Sequence, residues 1–196
     1  NPMIQMNRVR FLASIGAPGW PIIKLKQIHS GMVIDVEDTS AAGEAVQGDA
    51  VVTSLRGVAL GIQTADCVPI LVCNKQGTWV MAIHAGWQGL AKRVVEAAIA
   101  AYPGDKADLI AWMGPAIGPE AFEVQADVIE ACTADLTGAQ KKIFVKKCFK
   151  PVEGKEGYFM GDLYELSRQR LHKCGVQQVT GGEFCTYGDA EQFFSH

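Results

Sequence analysis

Apolar and polar residues alternate through Lys24-Leu25-Lys26-Gln27-Ile28-His29, the period of a strand with one buried face, so a β-strand is predicted over 21–29. Gly31 punctuates the chain, and Met32-Val33-Ile34-Asp35-Val36 predicts a second strand. Residues 37–48, rich in Ser, Ala, Gly and Glu, read as a loop. The β-branched run 49–53 is a short strand closed by Arg56-Gly57, and 58–64 is another that runs into Ala65-Asp66-Cys67-Val68-Pro69. The apolar run Ile70-Leu71-Val72-Cys73, the turn sequence Asn74-Lys75-Gln76-Gly77 and the strand 78–84 together predict a hairpin. Apolar residues at 90, 94, 95, 98, 99 and 101–102 fall at helical spacing and stop at Pro103-Gly104, which predicts a helix over 90–102. A strand over 108–113 is halted by Gly114-Pro115-Ala116-Ile117-Gly118-Pro119. Helices are expected over 125–135 and 162–174, the second with Asp162 as N-cap and Gly175 as C-cap, and a late strand over 176–179. Strands outnumber helices and several are joined by hairpins. The expectation is an α+β fold, mixed β-sheets packed against helices in one domain, and not a doubly wound parallel sheet.

Composition narrows the function classes. Of 196 residues, 48% are apolar and 20% charged, so a sizeable core forms without disulfide or metal staples. Eighteen basic and 21 acidic residues are mixed along the chain for a net charge of −3. No basic stripe is left for phosphate backbones, which removes support for nucleic-acid binding. The longest basic stretch, Lys141-Lys142-Ile143-Phe144-Val145-Lys146-Lys147, is broken by apolar residues and reads as a half-buried segment with a solvated face. No window reaches a membrane span, and the first residues lack the charged start and apolar run of a signal peptide. The six cysteines (67, 73, 132, 148, 174 and 185) have no framework spacing, as expected of reduced thiols in a cytoplasmic protein.

Candidate chemistry concentrates at strand ends. Only four histidines occur, and His29 and His84 each end a predicted strand. Cys67 stands as far before the 74–77 turn as His84 stands after it, so the hairpin brings both to one end of the sheet. Two imidazoles and a thiolate are borderline-soft ligands suited to zinc or copper, and three protein ligands with an open position mark catalytic zinc sites. The alternative is a buried thiol beside two polar histidines. Asp66 could orient a ligand histidine, act as a general base, or simply form a turn. Gly86 and Gly89 flank Trp87 at a helix start, where bare amides could receive an anion or permit close packing. Gly114 opens a rigid loop fit to wall a pocket for a flat ligand. Cys185 is a pocket residue, an extra soft ligand or a plain buried thiol, and Cys132, Cys148 and Cys174 read as packing. Without a metal, Cys67 and His84 would form a thiol–imidazole pair of a cysteine hydrolase acting on an amide.

The segments Lys26-Gln27-Ile28-His29-Ser30, Thr64-Ala65-Asp66-Cys67-Val68-Pro69, His84-Ala85-Gly86-Trp87, Gly114-Pro115-Ala116-Ile117-Gly118-Pro119 and Cys185-Thr186-Tyr187 occur here in one order. Together they resemble the bacterial YfiH-type laccase-domain family, also called multi-copper polyphenol oxidoreductases, over nearly the whole chain. The resemblance implies a mixed α/β fold with zinc on His29, Cys67 and His84. It also implies purine nucleoside chemistry: phosphorolysis of adenosine, inosine and methylthioadenosine, and deamination of adenosine, with purine nucleoside and phosphate as the partners. Arg8, in Asn7-Arg8, matches an arginine the family places near substrate. Family members commonly carry Arg where this chain has Gln88, and the family's terminal segments are expected to be lacking from the 1–196 domain. The older label, copper-dependent polyphenol oxidation, demands a trinuclear cluster fed by many histidines, which four in the whole chain cannot supply.

Overall fold

The computed structural model describes residues 2–38 and 46–196. In chain order the elements are α1 (Pro2–Ser14), β1 (Ile22–Lys26), β2 (Val33–Asp35), β3 (Val46–Gln47), β4 (Ala50–Thr53), β5 (Ala59–Gly61), β6 (Val68–Asn74) and β7 (Val80–Ala85). There follow α2 (Trp87–Ala91), α3 (Val94–Ala101), β8 (Leu109–Met113), β9 (Glu123–Gln125), α4 (Ala126–Cys132), α5 (Gly138–Cys148), β10 (Phe149–Pro151), β11 (Tyr158–Gly161), α6 (Leu163–Lys173) and β12 (Gln178–Gly181). Of the loop expected over 37–48, positions 39–45 lie outside the described residues.

The expected hairpin is the centre of a six-stranded mixed sheet ordered β12-β8-β6-β7-β4-β2. Asn74 closes its turn: the side-chain oxygen accepts from the N–H groups of Thr78 (2.8 Å) and Trp79 (3.0 Å), and Gly77 supplies the positive φ of 66° that the reversal requires. Register follows from that turn, with Pro69 opposite His84 and Val68 opposite Ala85. The helices cover one face. Val52, Ile70, Ile83 and Met113 from the strands meet Leu90, Val95, Ile99, Leu166 and Leu171 from the helices, all buried. A small parallel sheet, β3-β1-β5, covers part of the other face through Ile23 and Leu25, which pack on Val51 and Ala82. Strand β4 is therefore buried on both sides, and its unbroken Ala-Val-Val-Thr sequence reflects that. A third, antiparallel sheet, β10-β11-β9, lies beside α5. The α+β architecture is as expected.

Several elements differ from the sequence reading. The helix expected over 90–102 is two helices, broken where Arg93 adopts a left-handed φ of 65°. The break lets the Lys92 carbonyl pack where any side chain at Gly31 would sit, and lets the Lys92 ammonium donate to the His29 carbonyl at 2.6 Å. Helix α4 is shorter than 125–135: residue 125 belongs to β9, and the helix stops at Cys132, with 133–135 forming a turn. The basic stretch at 141–147 is helical, within α5, and α1 was not foreseen. Helix α6 holds its predicted N-cap, Asp162 accepting from the Glu165 N–H at 2.8 Å, while its C-cap is Cys174, with Gly175 the left-handed residue after it at a φ of 92°. Among the described residues no helix is long and apolar enough to cross a membrane.

Candidate metal centre

The site begins with a buried carboxylate. Asp49, immediately before β4, is fully buried and accepts from three successive backbone N–H groups: Ile28 at 3.3 Å, His29 at 3.0 Å and Ser30 at 2.6 Å. The Ser30 hydroxyl donates to it at 2.6 Å and the His84 ring at 2.9 Å. Burial opposes charge on Asp49, but the bonds from Ser30, His84 and the 28–30 backbone outweigh it and bring the carboxyl down to about 2. Gathering three amides on one carboxylate pulls the chain away from the sheet after Lys26. His29 therefore lies beyond β1 and not at its end, with a left-handed φ of 55°.

A carboxylate only accepts, so the hydrogen on His84 is on Nδ1 and Nε2 keeps its lone pair. Burial and the neighbouring His29 ring hold His84 below the ordinary imidazole value despite the Asp49 bond, which keeps it neutral. The His29 and His84 rings stand edge to face with centroids 4.8 Å apart. Cys67 Sγ lies 3.9 Å from His29 Nε2, close to the ~3.6 Å nitrogen–sulfur edge of a tetrahedral zinc site. One ligand atom from each of His29, Cys67 and His84 falls within 4.8 Å of the others, the group of this kind among the described residues.

Gly86 completes the cradle. A Cβ there would lie 2.6 Å from Cys67 Sγ and 3.3 Å from His29 Cδ2, so a side chain at 86 would occupy the space the thiol needs. Burial, with the carboxylates of Asp66 and Asp49, pushes the Cys67 thiol up to about 11. A neutral thiol is a poor nucleophile, and a divalent cation is what converts such a group to thiolate. Donor chemistry, tautomer and cradle together fit a soft-to-borderline metal ion.

The remaining candidates take distinct places. Asp66 has a φ of 81° and accepts from Thr186 Oγ1 (2.6 Å), Ser195 Oγ (3.1 Å) and the His196 N–H (2.8 Å). Burial opposes its charge, yet those donors hold it below the usual carboxylate range. The carboxylate that orients a ligand histidine is thus Asp49, while Asp66 ties the 186–196 segment to the bend before Cys67. Gly114 donates to the Pro69 carbonyl at 2.9 Å, placing its loop beside the same bend. Cys185 Sγ accepts from the N–H groups of Gly118 (3.2 Å) and Gly188 (3.3 Å), against that loop and outside the His–Cys–His group. Tyr164 fastens the two loops together: its hydroxyl accepts from the Ala116 N–H at 2.6 Å and donates to the Phe184 carbonyl at 2.9 Å.

Trp87 is partly buried against the helix-side core, and its carbonyl accepts from Cys132 Sγ at 3.7 Å. Helix α2 spans five residues, and a Cβ at Gly89 would lie 3.3 Å from the His84 carbonyl, so close packing accounts for that glycine. Arg8 lines a groove on α1 with Asn7, Phe11, Ile22 and Gln63. Gln63 pairs with Gln27, two residues before His29, through bonds of 2.6 and 2.7 Å. Asp49 and Tyr164 were missed by sequence reasoning. For Asp49 the only signal is an acidic residue opening an otherwise apolar strand; Tyr164 carries none.

Comparison with known proteins identifies the family of the chain. Purine nucleoside phosphorylase YfiH of Escherichia coli is 37% identical over 193 residues, covering 98% of this chain and 74% of that one. An adenosine deaminase from an unknown prokaryotic organism is 42% identical over 136 residues, 63% of this chain and 51% of its own. The crystal structure of Neisseria meningitidis protein NMB0706 superposes with a TM-score of 0.87 at 37% identity, covering all of this chain and 76% of that one. The family model for multi-copper polyphenol oxidoreductase laccase matches residues 2–196. The chain belongs to that family, the YfiH-type laccase-domain proteins.

Proposed function

We propose that this chain is a zinc-dependent purine nucleoside enzyme, phosphorolysing adenosine, inosine and methylthioadenosine and deaminating adenosine. The observation that carries it is the convergence of His29, Cys67 and His84 with His84 already neutral and turned by Asp49. The names of the relatives supply the substrate class. His29, Cys67 and His84 would hold the metal. When bound, zinc supplies a water acidified towards ~7 and a Lewis acid for a polar substrate atom.

Around that centre the chain's own residues divide the work. Asp49 fixes the tautomer and angle of His84 and holds the His29 loop. Gly86 keeps Cys67 Sγ accessible. Asp66, beside the thiol, is assigned to hold or pass a proton at its carboxylate. Gly114 and Cys185 wall the side facing the Pro69 bend, Trp87 opens α2 behind Gly86, and Arg8 is assigned to phosphate or substrate. The six cysteines are free thiols, in keeping with a cytoplasmic setting.

The metal-free cysteine hydrolase requires a thiolate at Cys67, a charge that burial and the Asp66 and Asp49 carboxylates oppose. Copper-dependent oxidation would need activity that tracks bound copper and consumes oxygen. The test of the leading function uses metal-replete protein with adenosine, with and without phosphate, following adenine, inosine and hypoxanthine. Phosphate-dependent release of adenine supports phosphorolysis, and inosine formed without phosphate supports deamination. Absence of turnover in both conditions sinks the proposal.

A further inference from the structure

The lysine-rich stretch has no part in the site above, and its placement is unusual. Helix α5 and the pair β10–β11 enclose an open groove of about 820 Å³ floored by Val145, Phe149, Pro151 and Phe159 and rimmed by Lys141, Lys142, Lys146 and Lys150. Phe149 is buried and Val145 and Phe159 are half-buried, while Pro151 is exposed at the β10 edge; of the lysines, Lys141 is half-buried and Lys142, Lys146 and Lys150 are exposed. The ion pairs of the described residues involve other cations, leaving the four rim lysines without a carboxylate partner.

Folding does not account for this arrangement. Lys142 and Lys146 are like charges one helical turn apart on α5, and such pairs repel. Lys141 also stands at the end of the first turn of α5, where the helix dipole disfavours cations and where no acidic residue offsets it. Only Lys146 gains from the last turn. The chain as a whole is acidic, so the groove is a local positive field on a negative protein.

We propose that this groove docks an acidic, amphipathic helix of a partner protein, its apolar side chains entering the floor and its carboxylates meeting the lysine rim. A floor that descends from exposed Pro151 to buried Phe149 admits side chains but not the flat face of a bilayer. Pro151, on the β10 edge, lacks an N–H and blocks docking by strand addition, which favours a helix seated through its side chains.

The test is fluorescence anisotropy on the full chain with a labelled Asp/Glu-rich helical peptide carrying Leu and Phe anchors on one face. Two control peptides carry Asn/Gln for the acids, or Ser for the anchors. Saturable binding that both controls lose, and that weakens about tenfold when salt rises from low to physiological levels, is expected. The double substitution Lys142→Glu/Lys146→Glu should weaken binding at least about tenfold. Lys147→Glu, on the same helix but outside the lining, should change it by about twofold or less. Circular dichroism confirms folding of each variant. Absence of saturable binding overturns the proposal, as does binding equal in the double variant and the parent. So does displacement of the peptide by phosphatidylserine vesicles that sediment with the protein, which would assign the groove to a membrane surface.

Discussion

Asp49 Oδ1 lies 2.9 Å from His84 Nδ1, and the same oxygen accepts the His29 N–H, so one buried carboxylate aligns two of the three candidate ligands. Substituting Asp49→Asn keeps the volume but leaves the amide unable to accept every bond the carboxylate takes. Metal affinity is expected to fall ~10–100-fold, with a stability loss of ~2–3 kcal/mol from the buried donors left unpaired. Competitive titration against a zinc chelator and urea melts measure the two effects separately.

Gly86→Ala places a carbon 2.6 Å from the Cys67 sulfur. The expected outcome is loss of bound zinc and of nucleoside turnover, with the fold retained at a cost of ~1–3 kcal/mol for the crowding. Metal analysis alongside far-ultraviolet circular dichroism decides it. Full zinc occupancy in the variant would refute the assigned role of the glycine.

Cys67→Ser removes the soft ligand and should reduce zinc to well below one ion per chain while leaving the sheet intact. In the unsubstituted protein, zinc should shield Cys67 from alkylation, and chelation should expose it. Mass spectrometry of the alkylated peptide reports this directly. Rapid alkylation at neutral pH in the zinc-loaded protein would instead support the nucleophilic thiol.

Chelation should also lower the melting temperature, because a ligand that binds only the folded chain stabilises it by mass action. At a free concentration about a hundred times the dissociation constant the effect is ~2.7 kcal/mol. Scanning calorimetry with graded zinc tests it, and a midpoint indifferent to zinc contradicts the metal centre.

Away from the site, acid stability should depend on Asp135. Burial opposes its charge, but hydrogen bonds from Arg170 at 2.9 Å and Lys173 at 2.8 Å hold its carboxyl well below the usual range. A folded value below the unfolded ~3.9 means that its stabilisation is full above about pH 4 and is lost as pH falls through the folded value. Asp135→Asn should flatten that acid limb. Arg170→Ala, which strands Glu96 and Asp135 around a buried position, should cost ~3–5 kcal/mol near neutrality. Urea melts at a series of pH values measure both.

The hairpin was legible because a four-residue turn with Asn74 and Gly77 fixes the register by counting, and the register places Cys67 and His84 at one end. His29 joins them through the family resemblance alone, since its position depends on Asp49, twenty residues away in sequence. No local pattern carries that information. Helix α1 escaped notice because its apolar residues stand on all sides: Met3, Ile4, Met6, Val9 and Phe11 are exposed and only Leu12 is buried. Helix α5 buries Phe144 and Cys148, a stripe too narrow to register among its lysines. The break at Arg93 accompanies the close approach of Lys92 to Gly31, a contact between segments distant in sequence that no local pattern records.

Gly86 has an ordinary extended backbone, with φ at −79°. Its constraint comes wholly from the sulfur atom it faces, and every amino-acid replacement adds at least the one carbon that does not fit. The position therefore has no neutral neighbours in sequence space, whereas Gln88, two residues on, is exposed and meets no such steric limit. Substitution at 86 is barred by the sulfur alone, so related chains that keep Cys67 and His29 in this arrangement are expected to keep glycine there whatever stands at 88.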